Sequence, residues 1–127
     1  MSSTKHKLPE SELTQQIIGS VFEIYNKFGY GLAERIYQSA LAQSLEEKGI
    51  KFSREKYGAI RFNGVKVAKY FLDFLVEEKV AVELKVRNEI YQTHVNQLLN
   101  YIKSENIKVG LLLVISKNGV LIKRLVN

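Results

Sequence analysis

The sequence contains no cysteine and no tryptophan, and it has one proline and one methionine in 127 residues. Without cysteine there are no disulfides and no thiolate metal sites, so the chain is compatible with a reducing compartment. No apolar stretch approaches the roughly 20 residues of a membrane helix, and the first residues lack the apolar segment of a signal peptide. These absences predict a cytoplasmic protein that does not bind membranes.

Positive charge is in excess, with 19 Lys and Arg against 13 Asp and Glu, a formal net charge of +6. Such an excess on a small domain favours polyanionic partners, nucleic acid first, although it also serves solubility. Six basic residues that we expect to contact backbone phosphate cluster in the first predicted strands: Lys51, Arg54, Lys56, Arg61, Lys66 and Lys69.

Hydrophobic periodicity predicts one α/β domain. Apolar residues recur at three- and four-residue steps in three segments and at two-residue steps in others, and "NG" occurs twice as a hairpin signal. We expect an arm over residues 1–9 and a single domain over 10–127, an α/β sandwich with a central mixed sheet flanked by helices. The predicted helices cover 10–28, 32–48 and 88–106, and the predicted strands cover 50–62, 65–77, 80–86, 107–116 and 120–126.

The segment "YFLDFLVEEKVAVELKV" carries charged residues inside two apolar strands. If the hairpin turns through residues 77–79, residue 76 pairs with residue 80 and Asp73 falls opposite Glu83, with Lys85 further along the same face. Two opposed carboxylates repel, so a nearby cation must offset them, either Lys85 or a divalent ion with oxygen ligands. A loop one residue shorter would place Asp73 opposite Leu84, and an exposed polar face with a simple Lys85 ion pair remains an alternative.

Asp-x9-Glu-x-Lys resembles the active-site signature of the PD-(D/E)XK nuclease superfamily, although Leu72 stands where the motif has proline. Two further segments strengthen the resemblance: "GLAERIY" (31–37) is similar to a G-x-x-E-x-x-Y motif, and "QLLNY" (97–101) to the Q-x-x-x-Y motif of the RecB-like branch. The chain beyond its first ten or so residues resembles the GxxExxY protein family, which implies a restriction-endonuclease-like fold.

The resemblance implies metal-dependent hydrolysis of phosphodiester bonds in nucleic acid, with DNA preferred and Mg²⁺ or Mn²⁺ as cofactor. Asp73 and Glu83 would hold the ion, the Leu84 backbone carbonyl would be a further ligand, and Lys85 would orient or deprotonate the attacking water. Glu34 would be a third carboxylate at the metal, directly or through water. As a plain acid at a helix start, Glu34 has an ordinary alternative role.

Three more residues are candidates through these motifs. Tyr37 would orient Glu34 or touch phosphate, and Gln97 and Tyr101, one turn apart on a helix, would hold a catalytic residue or a substrate phosphate. Each has a structural alternative as a half-buried packing residue. The rival functions are a nucleic-acid-binding or protein-interaction module without turnover, and a subunit that needs a partner, and a homodimer is also possible.

Overall fold

The computed structural model describes residues 8–127, and these contain three helices and five strands in the predicted order. Most of the predicted arm, residues 1–7, lies outside the described residues. The helices are α1 (Ser11–Phe28), α2 (Glu34–Glu47) and α3 (Gln92–Ser104). The strands are β1 (Phe52–Phe62), β2 (Val65–Val76), β3 (Val80–Val86), β4 (Val109–Ser116) and β5 (Gly119–Val126).

The five strands form one mixed sheet in the order β1-β2-β3-β4-β5. Strands β3 and β4 pair in parallel, while the other three pairs are antiparallel. The parallel pair requires a crossover, and α3 provides it by passing over one face of the sheet. The predicted mixed sheet between helices is therefore confirmed.

Two hydrophobic cores lie on opposite faces of the sheet. On one face, α1 and α2 bury residues such as Ile17 and Leu41 against Phe74, Val82 and other strand residues. On the other face, α3 packs Val95, Leu98, Tyr101 and Ile102 against a second set that includes Ala81 and Leu112. Because β3 and β4 are covered on both sides, all eight residues of β4 are buried, as its nearly continuous apolar sequence indicates.

The third helix begins four residues later than the periodicity predicts, at Gln92 instead of residue 88. Ile90 still packs against the α3-side core, but it does so from the loop before the helix. An apolar residue at helical spacing can therefore be buried without being helical. Within residues 8–127 no helix is long and apolar enough to cross a lipid bilayer.

Candidate active site

The turn between β2 and β3 sets the position of the charged residues. It contains three residues, and Glu77 and Glu78 both adopt left-handed backbone conformations, with φ of 53° and 59°. Val76 pairs with Val80, Leu75 with Ala81 and Phe74 with Val82. This is the predicted register, so Asp73 and Glu83 are the next two residues outward from the last backbone pair.

Beyond the pair of Phe74 and Val82, hydrogen bonds to the two carboxylates take the place of backbone–backbone hydrogen bonds between β2 and β3. The Asp73 amide N–H donates to Glu83 Oε2 at 2.8 Å, and the Leu84 amide N–H donates to Asp73 Oδ2 at 2.9 Å. Each carboxylate therefore accepts a hydrogen bond from the backbone of the opposite strand. The strands stay connected across a gap that holds two acidic side chains.

The backbone of β2 also changes its facing at Asp73. Leu72 packs in the core under α3, whereas Phe74 packs in the core under α1 and α2, although regular alternation would put both on one face. The expectation that Asp73 shares a face with Glu83 and Lys85 depends on regular alternation, and this alternation fails at Asp73. The irregularity turns the Asp73 carboxylate toward α2, while Glu83 stays on the α3 side.

Burial and mutual repulsion disfavour the charged forms of both carboxyl groups. The Glu83 side chain is almost fully buried, and burial, followed by the charge of Asp73, raises its pKa to about 7. Burial likewise raises the pKa of Asp73, opposed by the hydrogen bond from Leu84 and by the charge of Lys85. This pair is the most strongly perturbed acidic site among the described residues.

Tyr70 borders the pair on the α3 side. Burial raises the pKa of its hydroxyl far above the ordinary range, and the charges of Glu83 and Asp73 raise it further. The hydroxyl thus stays protonated beside Glu83, where it lowers the pKa of that carboxyl. Because β2 is irregular at Asp73, no simple alternation pattern pointed to Tyr70.

Basic side chains lie at the more open edge of the site. Lys85 Nζ is 3.6 Å from Glu83 Oε1, and the lysine side chain keeps 21% of its exposure. Arg87, two residues further on, is 3.6 Å from Glu34 and stacks its guanidinium over the Tyr91 ring. The sequence analysis missed Arg87, which the two-residue spacing after Lys85 could have indicated.

Glu34 starts α2 and joins it to β3. Its Oε1 accepts a hydrogen bond from the Val86 amide at 3.0 Å, and its charge raises the pKa of Asp73. It is therefore near the carboxylate pair. Within residues 8–127, however, no three Asp, Glu or His side chains are grouped closely enough to hold a metal together. Direct ligation by Glu34 would need movement of its side chain.

Gln38, which the sequence analysis missed, contacts two of the expected ligands. Its Nε2 donates to Asp73 Oδ2 at 3.2 Å and to the Leu84 carbonyl oxygen at 3.4 Å. The amide nitrogen thus lies where two candidate oxygen ligands converge. The available signal was helical spacing, since Gln38 follows Glu34 by four residues on the same face of α2.

Tyr37 is fully buried in the core between α2 and the sheet. Its hydroxyl donates to the Gly29 carbonyl oxygen at 2.6 Å and accepts from the Leu32 amide at 3.3 Å. These bonds hold the loop before α2 and so position Glu34 at the helix start. Tyr37 has no surface through which it could touch a phosphate.

Gln97 and Tyr101 do not act as a pair in this structure. Gln97 is exposed, and among the described residues it makes no hydrogen bond to Asp73, Glu83 or Lys85. Tyr101 is buried, with its ring 5.7 Å from that of Tyr70. Burial, then the charge of Glu105, raises its pKa to about 12. Tyr101 therefore supports the site through Tyr70 and the core.

His94 lies at the basic edge of the site, close enough for the charges of Lys85 and Arg87 to act on it. Its ring stacks on Tyr91, and burial together with the charges of Lys85 and Arg87 lowers its pKa. Its Nδ1 atom is buried without a hydrogen-bond partner. His94 is therefore held neutral at this edge.

The donor set fits a hard divalent cation. Two carboxylates and a main-chain carbonyl supply oxygen atoms, which Mg²⁺ and Mn²⁺ prefer. Burial first, and then the charge of Asp73, disfavour the ionised form of Glu83, and a cation bound beside the two carboxylates would favour that form. Chemistry and position thus favour Asp73, Glu83 and the Leu84 carbonyl as the ligand set.

Comparison with known proteins places the chain in a family. The family profile described as the PD-(D/E)XK nuclease superfamily matches residues 11–125. No curated protein matches the sequence. The crystal structure of SSO0001 is similar, with a TM-score of 0.59 and 20% identity over 93% of this chain. The match covers 59% of that protein, so the present chain spans less than two thirds of its length.

At this identity the likeness to the crystal structure shows the fold, which is of the restriction-endonuclease-like type. The chain belongs to the PD-(D/E)XK nuclease superfamily.

Proposed function

We propose that the protein is a divalent-metal-dependent nuclease that hydrolyses phosphodiester bonds, with DNA the preferred substrate. The observation that carries the proposal is the pair of half-buried Asp73 and buried Glu83, whose carboxylates bridge two strands beside Lys85. A structural ion pair has no need for two carboxylates against one lysine in a site where charge is costly. Superfamily membership supports the same function.

Asp73, Glu83 and the Leu84 carbonyl would hold Mg²⁺ or Mn²⁺, and nucleases of this superfamily generally use divalent metals. A bound ion would polarise the scissile phosphate and lower the pKa of water. Lys85, near both carboxylates and partly exposed, would orient or deprotonate the attacking water and offset the negative charge that develops. Arg87, at the same edge, would bind a phosphate oxygen of the substrate.

Gln38 would hold the ligands in place only in the metal-free protein, and Glu34 would act beside them in the metal-bound protein. Asp73 Oδ2 already accepts hydrogen bonds from Leu84 and Gln38, so an ion that binds this oxygen takes the place of the amide donor. Glu34 would act through water, since its Oε1 is bound to Val86. For Tyr37 and Tyr101 we propose supporting roles, and for the exposed Gln97 a contact with substrate that brings the strand to the site.

The test is cleavage of labelled DNA with Mg²⁺, compared among the wild type, Asp73→Ala, Glu83→Ala and Lys85→Ala. We expect each substitution to reduce the rate by about 100-fold or more, since each removes a group that acts in the transition state. Cleavage that persists in Asp73→Ala or Lys85→Ala would refute this mechanism.

Calorimetric titration with Mn²⁺ separates the rival functions. Binding that Glu83→Ala abolishes supports an intact metal site, whereas no binding near millimolar Mn²⁺ favours a module without turnover. Membership of the GxxExxY branch and a cytoplasmic location remain proposals that rest on the sequence motifs and on composition.

A further inference from the structure

The hairpin of β1 and β2 projects from the body of the protein. The nine consecutive residues 61–69, around the Asn63-Gly64 turn, are all exposed, and they belong to both faces of the hairpin. We call residues 56–71 the ribbon. At its base, the Ala59 backbone bonds to Ser104, the last residue of α3, and to Glu105, which follows it. Beyond Ala59, no such bond to a described helix is seen, so the tip extends freely.

The ribbon is basic and also apolar. It contains Lys56, Arg61, Lys66 and Lys69 and no acidic residue, so it carries four of the six net positive charges of the chain. Near its tip, Phe62, Val65 and Val67 keep 68%, 63% and 62% of their exposure. An exposed apolar surface flanked by cations marks an interaction site, and its charge selects a polyanionic partner.

The ribbon continues directly into the candidate active site. Phe71 precedes Asp73 by two residues on β2, and Tyr70 lies beside Glu83. From Asp73 to the turn at Gly64 are nine residues, which span about 30 Å at 3.3 Å per residue. A nucleic acid that reaches the carboxylates can therefore run along the ribbon for roughly nine base pairs.

The shape of the ribbon favours a duplex over a single strand. The major groove of DNA, about 12 Å wide, admits a two-stranded β-ribbon. Single-strand binders instead present open aromatic faces on which bases stack. Here the rings of Tyr57 and Phe71 are about half exposed, but they pack edge to face at 5.7 Å, and Lys66 and Lys69 lie over their faces at 5.6 and 6.0 Å. Pairing of two ribbons in a dimer would bring eight cations together without an acidic residue, and the repulsion among them disfavours such a dimer.

We propose that this ribbon is a duplex-binding arm that enters a groove of double-stranded DNA and directs the substrate to Asp73 and Glu83. The inference rests on the proposed nuclease function. The lysines contact phosphates on both sides of the groove, and Phe62, Val65 and Val67 contact base edges at its floor, where the thymine methyl groups are apolar. The ribbon therefore supplies affinity for duplex, and the carboxylate pair supplies chemistry.

Binding is measured by fluorescence anisotropy with a labelled duplex of about 20 base pairs, roughly twice the ribbon's span. All proteins in this measurement also carry Asp73→Asn, and chelator is present. Both conditions prevent cleavage of the DNA. The charge variant is Lys66→Gln with Lys69→Gln. Its matched control is Lys27→Gln with Lys103→Gln, which removes two exposed lysines from α1 and α3.

We expect the ribbon variant to bind about tenfold more weakly or worse, and its plot of log K against log salt to be shallower by about 1.8, or 0.9 per lost contact. The control should change little. Equal losses in both variants would overturn the proposal, because binding would then follow total charge. Single-stranded DNA bound as tightly as duplex, with the same loss, would overturn it as well.

A shortened ribbon tests the whole tip, because it removes Arg61 and Lys66 together with Phe62, Val65 and Val67. Residues 61–67 are replaced by Asn-Gly, which joins the cross-strand partners Ile60 and Ala68 through a two-residue turn. We expect this variant to bind duplex more weakly. Its Mn²⁺ affinity, measured by calorimetry in a protein that retains Asp73, should be unchanged. If this variant does not fold, Phe62→Ser with Val65→Ser serves instead, since both side chains are exposed.

The outcomes separate the two proposals. Mn²⁺ binding without any duplex binding overturns the arm and leaves the metal site standing. Duplex binding that depends on the ribbon, without Mn²⁺ binding, supports the arm and contradicts the nuclease proposal. A wild-type dimer that becomes monomeric in the shortened variant, by sedimentation, would identify the ribbon as a dimer interface and overturn the arm.

Discussion

At the scale of single residues, Asp73 and Glu83 each have two roles. One oxygen of each carboxylate accepts a backbone N–H of the opposite strand, which keeps the hairpin connected. The same groups carry charge in a buried place, so the metal-free site stores unfavourable energy that a cation would release. The connection between strands and the capacity to hold a metal thus depend on the same two side chains.

Glu83 should make the metal-free protein less stable as the pH rises. Its pKa lies near 7 in the folded protein and at 4.5 ordinarily, so between these values the folded state binds more protons than the unfolded state. The contribution of Glu83 to the free energy of unfolding is fully present below pH 4.5 and is lost as the pH rises through 7. In chelator, we expect the free energy of unfolding of the wild type to fall between pH 4.5 and 8 by on the order of 1–3 kcal/mol more than that of Glu83→Gln. Urea unfolding at several pH values measures this, and parallel profiles would contradict the assignment.

Gln38 should compete with the metal. Its amide bonds to Asp73 and Leu84 only while no ion occupies their oxygens, so Gln38→Met should destabilise the metal-free protein by about 0.5–1.5 kcal/mol. The metal-bound form does not have these hydrogen bonds, so the substitution does not destabilise it to a comparable extent. Mn²⁺ should therefore bind to Gln38→Met about two- to tenfold more tightly than to the wild type. Calorimetry provides the measurement. Gln43→Met, on the same helix but bonded only to the exposed Glu47, is the control and should leave Mn²⁺ affinity unchanged. Weaker binding in Gln38→Met would mean that the amide positions the ligands in the bound state too.

At the scale of secondary-structure elements, the packing of α3 on β1 supports the site from behind. The Tyr101 ring covers Gly58 and contacts Tyr70, which lies beside Glu83. The close approach is possible because Gly58 has no side chain. This contact links the Q-x-x-x-Y segment to the carboxylate pair through the core, without a direct bond from Tyr101 to a reacting group.

Gly58→Ala should therefore disturb this packing. An added Cβ would lie 2.4 Å from Tyr101 Cε2, and the ring is buried, so it cannot move away cheaply. We expect a loss of about 1–3 kcal/mol in the free energy of unfolding. Gly19→Ala is the control, because nothing lies within 4 Å of that Cβ inside α1 and alanine favours helix by about 0.5–1 kcal/mol. Urea unfolding of both variants is the measurement. A Gly58→Ala protein as stable as the wild type would contradict the described contact.

At the scale of the whole molecule, stability and metal binding should be linked through Asp73. Asp73→Asn removes one charge and keeps an oxygen for the Leu84 amide, so the metal-free variant should be as stable as the wild type or more stable, by roughly 0.5–2 kcal/mol. Mg²⁺ should stabilise the wild type by selective binding to the folded state, and the variant less.

Thermal melts of both proteins, in chelator and in excess Mg²⁺, decide this prediction. A variant that melts several degrees lower in chelator would indicate that Asp73 is retained as a stabilising ion-pair partner of Lys85. Equal stabilisation of both proteins by Mg²⁺ would place the ion elsewhere.

The sequence by itself determined the order of elements, and it predicted the register of the central hairpin on the condition that the turn contains three residues. Periodicity depends on local geometry, and a three-residue turn pairs Val76 with Val80 and so sets every pair beyond it, whereas a loop one residue shorter would place Asp73 opposite Leu84. It therefore predicted that Asp73 and Glu83 lie together beside Lys85. The motifs also predicted the superfamily, because their spacing reflects this register.

Only the tertiary structure decided which other side chains reach the pair. The change of facing at Asp73 turns its carboxylate toward Gln38 on α2, which is 35 residues away in sequence. The burial of Tyr37 and Tyr101 and the exposure of Gln97 depend on how α2 and α3 rotate against the sheet. Helical spacing shows which residues share a face of a helix, but packing between distant segments decides which face meets the site.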